Sequence, residues 1–115
     1  MHELGIVKHV IQTLEQVAQA HQLTTISSVT LEIGEVSGVL GDYLTDCWKW
    51  AVSKTDLLQG AALRIESLPA VTLCRACGTE YETVRYGKTC PHCGSGETHL
   101  LRGTELNIKE IEVPE

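Results

Sequence analysis

Apolar residues recur at every third or fourth position near the start of the chain. This stripe predicts an amphipathic helix that ends near Gln22, just before a Thr-Thr pair begins a β-branched stretch. Its members are Leu4, Val7, Ile11, Leu14 and Ala18, and Val10 and Val17 widen it. Glu3 falls in the first turn, where the helix dipole favours a negative charge.

A strict alternation of apolar and polar residues follows from Ser27 to Gly34. It predicts a strand with one buried face and one solvated face, the buried face being Val29, Leu31 and Ile33 and the solvated face Ser28, Thr30 and Glu32. The next stretch, GEVSGVLGD, is rich in glycine and predicts a loop. Alternation returns from Ala62 to Leu68, where Pro69 ends a second predicted strand. The final segment TELNIKEIEV predicts a last strand, but its apolar positions change parity between Ile108 and Ile111, so a bulge is expected near Lys109 and Glu110.

A second helix is predicted from Tyr43 to Thr55. Asp42 precedes it and is a suitable N-cap, because its carboxylate can accept hydrogen bonds from the first free amides of a helix. The apolar face of this helix consists of Leu44, Cys47, Trp48 and Ala51. Cys47 and Trp48 are therefore expected in the core, whereas Trp50 lies off that face.

The order of elements predicts an α+β fold with an insertion. Between about Val71 and Gly103, cysteine and glycine concentrate and helical periodicity vanishes. We therefore expect a domain of two helices and a three-stranded sheet, formed by residues 1–69 and 104–115, whose last strand returns to the sheet. Residues 70–103 are expected to form an inserted four-cysteine zinc ribbon.

Composition and charge narrow the class of protein. The chain has 115 residues, of which 43% are hydrophobic, and no Phe, so its core is small and aliphatic and a metal clip would add stability. A net charge of −6 argues against a nucleic-acid or membrane-surface protein. No stretch of about 18 apolar residues and no leader pattern is apparent, so a cytoplasmic location is expected.

Two cysteine pairs carry the most specific signal. Cys74 and Cys77 form one CxxC pair, Cys90 and Cys93 form another, and twelve residues separate the pairs. Each CxxC turn can direct two sulfurs at one point, and a tetrahedral set of four thiolates favours Zn²⁺. The set leaves no open position on the metal, so the site is expected to be structural. Free thiols or a redox pair are the alternative.

Other function classes compete with a metal-handling role. A zinc ribbon also suits a nucleic-acid or protein adaptor, but residues 70–103 contain four basic and three acidic residues and no basic stripe. A metalloenzyme would need an open metal position and a general base, and no HExxH motif occurs. A protein that only stores or detoxifies a metal ion is a third alternative.

The first residues, MHELG, can chelate a metal ion. The α-amine of Met1, the amide nitrogen and imidazole of His2, and the amide nitrogen of Glu3 can surround one ion in a plane. Nitrogen donors in a square plane suit Ni²⁺ or Cu²⁺. The amides must lose their protons, so binding should weaken as the pH falls. A frayed terminus without any role is the alternative interpretation.

The combination of motifs resembles the HypA/HybF family of hydrogenase-maturation nickel metallochaperones. The chain starts MHELGIVKHVI, continues with LEIGEVSGV and GAALRIESLPAV, contains CRACG and CPHCG, and ends ELNIKEIEV. The resemblance implies Ni²⁺ as cargo, bound through His2 and neighbouring main-chain nitrogens of Met1 and Glu3. It also implies structural Zn²⁺ at the four paired cysteines.

The resemblance also implies what the protein works with. The expected partners are a nickel-handling GTPase, HypB, and the precursor of the [NiFe]-hydrogenase large subunit, with urease as a further client in some organisms. No enzymatic activity, nucleic acid or membrane is expected. Monomers and dimers both occur in the family, so a homodimer stays open. Histidines flank the zinc cysteines in some members, a pattern that His92 and His99 match only loosely.

Overall fold

A computed structural model describes residues 3–114 and shows a mixed α+β fold, as predicted. In chain order its elements are α1 (Glu3–His21), β1 (Ser28–Gly34), α2 (Gly41–Val52), β2 (Ala62–Leu68), β3 (Val71–Cys74), β4 (Glu80–Glu82), α3 (Thr83–Tyr86), β5 (Thr98–Arg102) and β6 (Leu106–Glu112). One three-stranded sheet has the order β2-β1-β6, so the last strand does return to it. The second has the order β4-β3-β5.

The chain divides into two compact units. The first comprises Met1–Leu31, Val39–Glu66 and Asn107–Glu115, and the second comprises Glu32–Gly38 and Ser67–Leu106. The sequence predicts a nickel-binding domain formed by residues 1–69 and 104–115 and a zinc-binding domain formed by residues 70–103. This assignment of metal-binding roles stays a prediction.

The buried stripe of α1 differs slightly from the predicted one. Val7, Val10, Leu14 and Ala18 are buried as expected, and Ile6 joins them, whereas Leu4 and Ile11 are half-buried. Glu3 continues the buried side of the helix at 5% exposure. The helix ends at His21, because Gln22 takes a left-handed conformation with φ 57°.

The prediction of a solvated face on β1 is wrong for Ser28 and Thr30, which are buried, whereas Glu32 is half-buried. β1 is the central strand of its sheet, so side chains of both flanking strands can cover its short hydroxyl residues. The Ser28 hydroxyl donates a 2.7 Å hydrogen bond to the Glu112 carboxylate, which also pairs with Arg64. These two contacts, the Ser28 bond first, hold the pKa of Glu112 below its usual value.

The start of α2 also differs from the prediction. The helix covers Gly41–Val52 instead of Tyr43 to Thr55, and its N-cap is Leu40, not Asp42. Leu40 has no side chain that can accept a hydrogen bond, so α2 lacks a cap from its own N-cap residue. The predicted core residues of α2 are confirmed: Cys47 and Trp48 are buried, and Trp48 Nε1 donates to the Ala61 carbonyl at 2.9 Å.

The second unit contains a close crossing of main-chain segments. The amide of Gly34 donates to the Glu105 carbonyl at 2.8 Å, and the amide of Val36 donates to the Gly103 carbonyl at 2.9 Å. The Glu35 carboxylate accepts the Ala70 amide at 2.7 Å. The loop after β1 is therefore hydrogen-bonded to both ends of residues 70–103, the cysteine module.

The cysteine module contains short regular elements that periodicity did not reveal. β3 pairs with β4 and β5 in antiparallel fashion, and the single-turn helix α3 follows β4. Cys74, Tyr81 and Cys90 form a buried cluster. The Tyr81 hydroxyl donates to the Gly87 carbonyl at 2.8 Å, and its ring meets Tyr86 edge to face, so Tyr81 packs inside the module.

The crossing predicts that Gly34 tolerates no side chain. A Cβ at Gly34 would lie 2.0 Å from the Gly103 carbonyl oxygen and 2.5 Å from the Thr104 amide nitrogen. We expect Gly34→Ala to lower the free energy of unfolding by more than about 3 kcal/mol, because main chain cannot yield as a side chain can. Chemical denaturation measures this change.

Gly96→Ala is the matched control, because a Cβ at Gly96 meets nothing within 4 Å. We expect that variant to stay within about 0.5 kcal/mol of the native protein. Equal stabilities for the two variants would contradict the described crossing.

Candidate metal centre

The two CxxC segments fold into matching turns. The Gly78 amide donates to the Cys74 carbonyl at 2.8 Å, and the Gly94 amide donates to the Cys90 carbonyl at 2.9 Å. Gly78 and Gly94 have φ values of 78° and 77°, a region that glycine enters without steric cost. Each glycine therefore lets the main chain reverse directly after a cysteine pair.

The turns bring the four thiols together. The sulfur atoms of Cys74, Cys77, Cys90 and Cys93 all lie within 4.8 Å of one another. Cys74 Sγ is 3.6 Å from Cys93 Sγ, and Cys77 Sγ is 3.7 Å from Cys90 Sγ. A zinc ion about 2.3 Å from each of four tetrahedral sulfurs would separate those sulfurs by about 3.8 Å. The thiols therefore fit a tetrahedral metal ion of that size.

The four thiols are held by main-chain bonds around them. Cys74 and Cys90 are buried, whereas Cys77 and Cys93 are exposed. The Cys74 amide donates to the Thr79 carbonyl at 2.9 Å, and the Cys90 amide donates to the Ser95 carbonyl at 3.0 Å. The His92 amide donates to Cys90 Sγ at 3.4 Å.

The electrostatics of the cluster favour a bound cation. Hydrogen bonds with the side chain and main chain of Thr79 lower the pKa of Cys77 to about 6. A main-chain hydrogen bond at Ser95 acts to lower the pKa of Cys93. Interactions with the neighbouring sulfurs and partial loss of hydration outweigh it and raise that pKa to about 12. Repulsion between closely spaced thiolates opposes the loss of all four protons, and a bound divalent cation offsets that repulsion.

Other candidate ligands stay outside this group. Within residues 3–114, the four cysteines are the one group of three or more Cys, His, Asp or Glu side chains with ligand atoms close enough to share an ion. His92 and His99 are exposed and do not belong to it. Cys47 is buried in α2, as expected for a structural cysteine.

The predicted nickel ligands are only partly described. Met1 and His2 lie outside the described residues, and Glu3 is the first residue of α1. The Glu3 carboxylate accepts a hydrogen bond from the Leu40 amide, with 2.9 Å between Oε2 and N. Local sequence patterns do not reveal this bond, because 37 residues separate its partners. The sequence does indicate that Glu3 is buried, since Glu3 shares helical spacing with Val7, Val10 and Leu14.

None of the helices within residues 3–114 combines the length and the apolar character needed to cross a bilayer.

Comparison with known proteins identifies the family. The sequence model described as hydrogenase/urease nickel incorporation, metallochaperone, HypA matches residues 1–113. The hydrogenase maturation factor HypA of Geobacter metallireducens is 38% identical over 113 residues, covering 98% of this chain and 99% of that protein. The HypA protein of a Nostoc species is 38% identical over 117 residues, covering 100% of this chain and 97% of that protein.

Solved structures share the fold. The solution structure of the nickel metallochaperone HypA from Helicobacter pylori superposes with a TM-score of 0.73 at 22% identity, covering 98% of this chain and 97% of that one. A second HypA solution structure gives a TM-score of 0.74 at 23% identity, with 99% and 97% coverage. At this level of identity the likeness concerns the fold alone.

The family match settles the class of the protein. Members are maturation factors that handle nickel, so the prediction that this chain is not an enzyme is confirmed. The resemblance inferred from the sequence motifs is confirmed as well. The chain belongs to the HypA family of nickel metallochaperones that act in hydrogenase maturation.

Proposed function

We propose that the protein captures Ni²⁺ at its N-terminal residues and delivers it to the precursor of the [NiFe]-hydrogenase large subunit. The observation that carries this proposal is the family match over residues 1–113, which includes both the MHE segment and the four paired cysteines. Nickel capture and delivery are expected to take place in the cytoplasm, with the GTPase HypB as a partner. Urease is a further candidate recipient of the nickel.

The chemistry of the N-terminal residues supports nickel as cargo. The proposed ligands are the α-amine of Met1, the amide nitrogen and imidazole of His2, and the amide nitrogen of Glu3. The first amides of a helix take no part in its internal hydrogen bonds, and Glu3 is the first residue of α1. Ionising the Glu3 amide would therefore break no bond of the helix, and the positive end of the helix dipole would stabilise the charge.

The four cysteines are proposed to hold structural Zn²⁺. Their spacing matches a tetrahedral thiolate set, and a fourfold protein-ligated zinc ion has no position left for a substrate. A closed thiolate site would hold an ion too firmly for transfer. Nitrogen ligands on a terminal segment can instead be exchanged one by one with those of an acceptor.

The first prediction concerns nickel capture. In zinc-loaded protein with its native first residue, we expect one Ni²⁺ per chain with the absorption of a planar site. His2→Ala should weaken binding by more than about 100-fold, beyond the usual effect of losing only an outer-shell partner. Two extra residues before Met1 should have a similar effect, because they remove the amine from the chelate. Calorimetry and absorption titrations measure both changes.

His9→Ala is the control for nickel capture, since His9 is an exposed histidine of the same helix. Its affinity should equal that of the native chain. Equal binding by the native, His2→Ala and extended chains would refute the N-terminal site.

The second prediction concerns zinc. We expect one Zn²⁺ per chain by elemental analysis, and Co²⁺ substitution should give the absorption bands of a tetrahedral thiolate site. Cys74→Ser should lose the metal and the structure of the cysteine module, because Cys74 is both a ligand and part of the buried cluster. Cys47→Ala is the matched control and should keep full zinc content. Zinc retention by Cys74→Ser would contradict the four-thiol site.

The third prediction concerns delivery and distinguishes a metallochaperone from a nickel store. Nickel-loaded protein, incubated with the metal-free hydrogenase large-subunit precursor and excess chelator, should still transfer its ion, because direct contact avoids the free ion. Free Ni²⁺ under the same conditions should not reach the precursor. If the chelator stops transfer from the loaded protein as completely, direct delivery is wrong and storage becomes the better function.

A further inference from the structure

We propose that the Glu3 carboxylate is not a nickel ligand but a positioning group that couples the nickel-binding end of α1 to the first turn of α2. The inference rests on the proposed function for its nickel part. Its structural part rests on the first unit alone, which contains both Glu3 and Leu40.

The first step is the position of the carboxylate. Glu3 is 5% exposed and lies on the buried side of α1 with Val7 and Val10. A charged side chain on such a stripe is costly unless hydrogen bonds replace its water. One of these bonds is known, because Oε2 accepts the Leu40 amide at 2.9 Å. The carboxylate is thus committed to main chain of the first unit.

The second step is the need of α2 for that bond. In a capping box, a Glu at the third helical position bonds the amide of the N-cap residue. Here the N-cap residue is Leu40, and the third helical residue is Tyr43, which carries no carboxylate. Glu3 supplies the missing acceptor from another helix. The first internal bond of α2, from the Leu44 amide to the Leu40 carbonyl, begins at the residue that Glu3 holds.

Glu3 contributes to both nickel binding and the hydrogen bond with α2, through two different groups. The proposed nickel ligand is the amide nitrogen of Glu3, and the group that holds Leu40 is its carboxylate. Nickel at the amide would fix the main chain of Glu3 and thereby favour the carboxylate bond. By thermodynamic reciprocity, a formed Leu40 bond would then favour nickel binding by the same factor.

A consequence appears on the surface of the first turn of α2. Leu40 and Tyr43 are 66% and 54% exposed, so apolar side chains face solvent at the residues that the bond orders. Nickel occupancy would therefore change the order of an exposed apolar surface, which a partner protein can sense.

Hydrogen exchange of the Leu40 amide tests the proposal in zinc-loaded, full-length protein. Without nickel, Glu3→Ala should speed exchange at Leu40 by at least about 10-fold, the effect of losing one charge-assisted hydrogen bond. Glu3→Gln should restore most of the protection, because its amide oxygen can still accept. Glu15→Ala removes an exposed carboxylate from the same helix and should leave Leu40 unchanged.

Nickel then tests the coupling. Ni²⁺ should slow Leu40 exchange further in the native chain and not in Glu3→Ala. The absorption bands of bound nickel should keep their positions in Glu3→Ala, because the proposed ligands are nitrogen atoms, while the affinity falls.

Two results would overturn the proposal. Unchanged Leu40 exchange in metal-free Glu3→Ala would show that the carboxylate does not hold α2. Faster Leu40 exchange in the native chain on adding nickel, with shifted bands in both Glu3 variants, would make the carboxylate a ligand. If the native chain binds no nickel at its N-terminus, the proposed function and the coupling both fail, whereas the metal-free comparison still decides the structural role of Glu3.

Discussion

The convergence of four sulfur atoms is the constraint on which the cysteine module depends. Its buried hydrophobic cluster consists of Cys74, Tyr81 and Cys90, so two of the three residues in that cluster are also candidate metal ligands. Strands of three to five residues and a single-turn helix surround that cluster. Such short elements bury too little apolar surface to offset the entropy of ordering them. A tetrahedral ion bonded to all four sulfurs would supply the missing stabilisation and would fix the two CxxC turns.

The proposed metal sites differ in the property that separates structure from transport. Four thiolates enclose an ion completely, and main-chain bonds around Cys74 and Cys90 hold the sulfurs in place. Such a site suits an ion that never leaves. A chelate of one imidazole and main-chain nitrogens lies on a terminal segment, where an acceptor can replace its ligands in turn. The family match assigns nickel handling to the chain, and this difference in exchange would explain why the two proposed sites use different ligands.

Two carboxylates and two glycines determine the main-chain geometry next to these sites. Glu3 replaces the absent cap of α2, and Glu35 accepts the Ala70 amide beside the entry to the cysteine module. Gly34 and Gly103 allow two main-chain segments to approach more closely than any side chain would permit. The two carboxylates each accept a hydrogen bond from a main-chain amide, and the two glycines leave room for the main chain that passes them.

Local patterns determined much of this protein from its sequence. Helical spacing predicted α1, alternation predicted β1 and β2, and the spacing of the cysteine pairs predicted the thiols that would meet. Each of these features depends on residues that are close in the chain, or on a chemistry with few solutions. The sequence did not reveal the burial of Ser28 and Thr30, because the strands that flank β1 come later in the chain. Nor did it reveal the cap of α2, which an acceptor 37 residues away provides. Periodicity describes one element at a time, and only the tertiary structure decides which distant group satisfies a buried hydrogen-bonding atom.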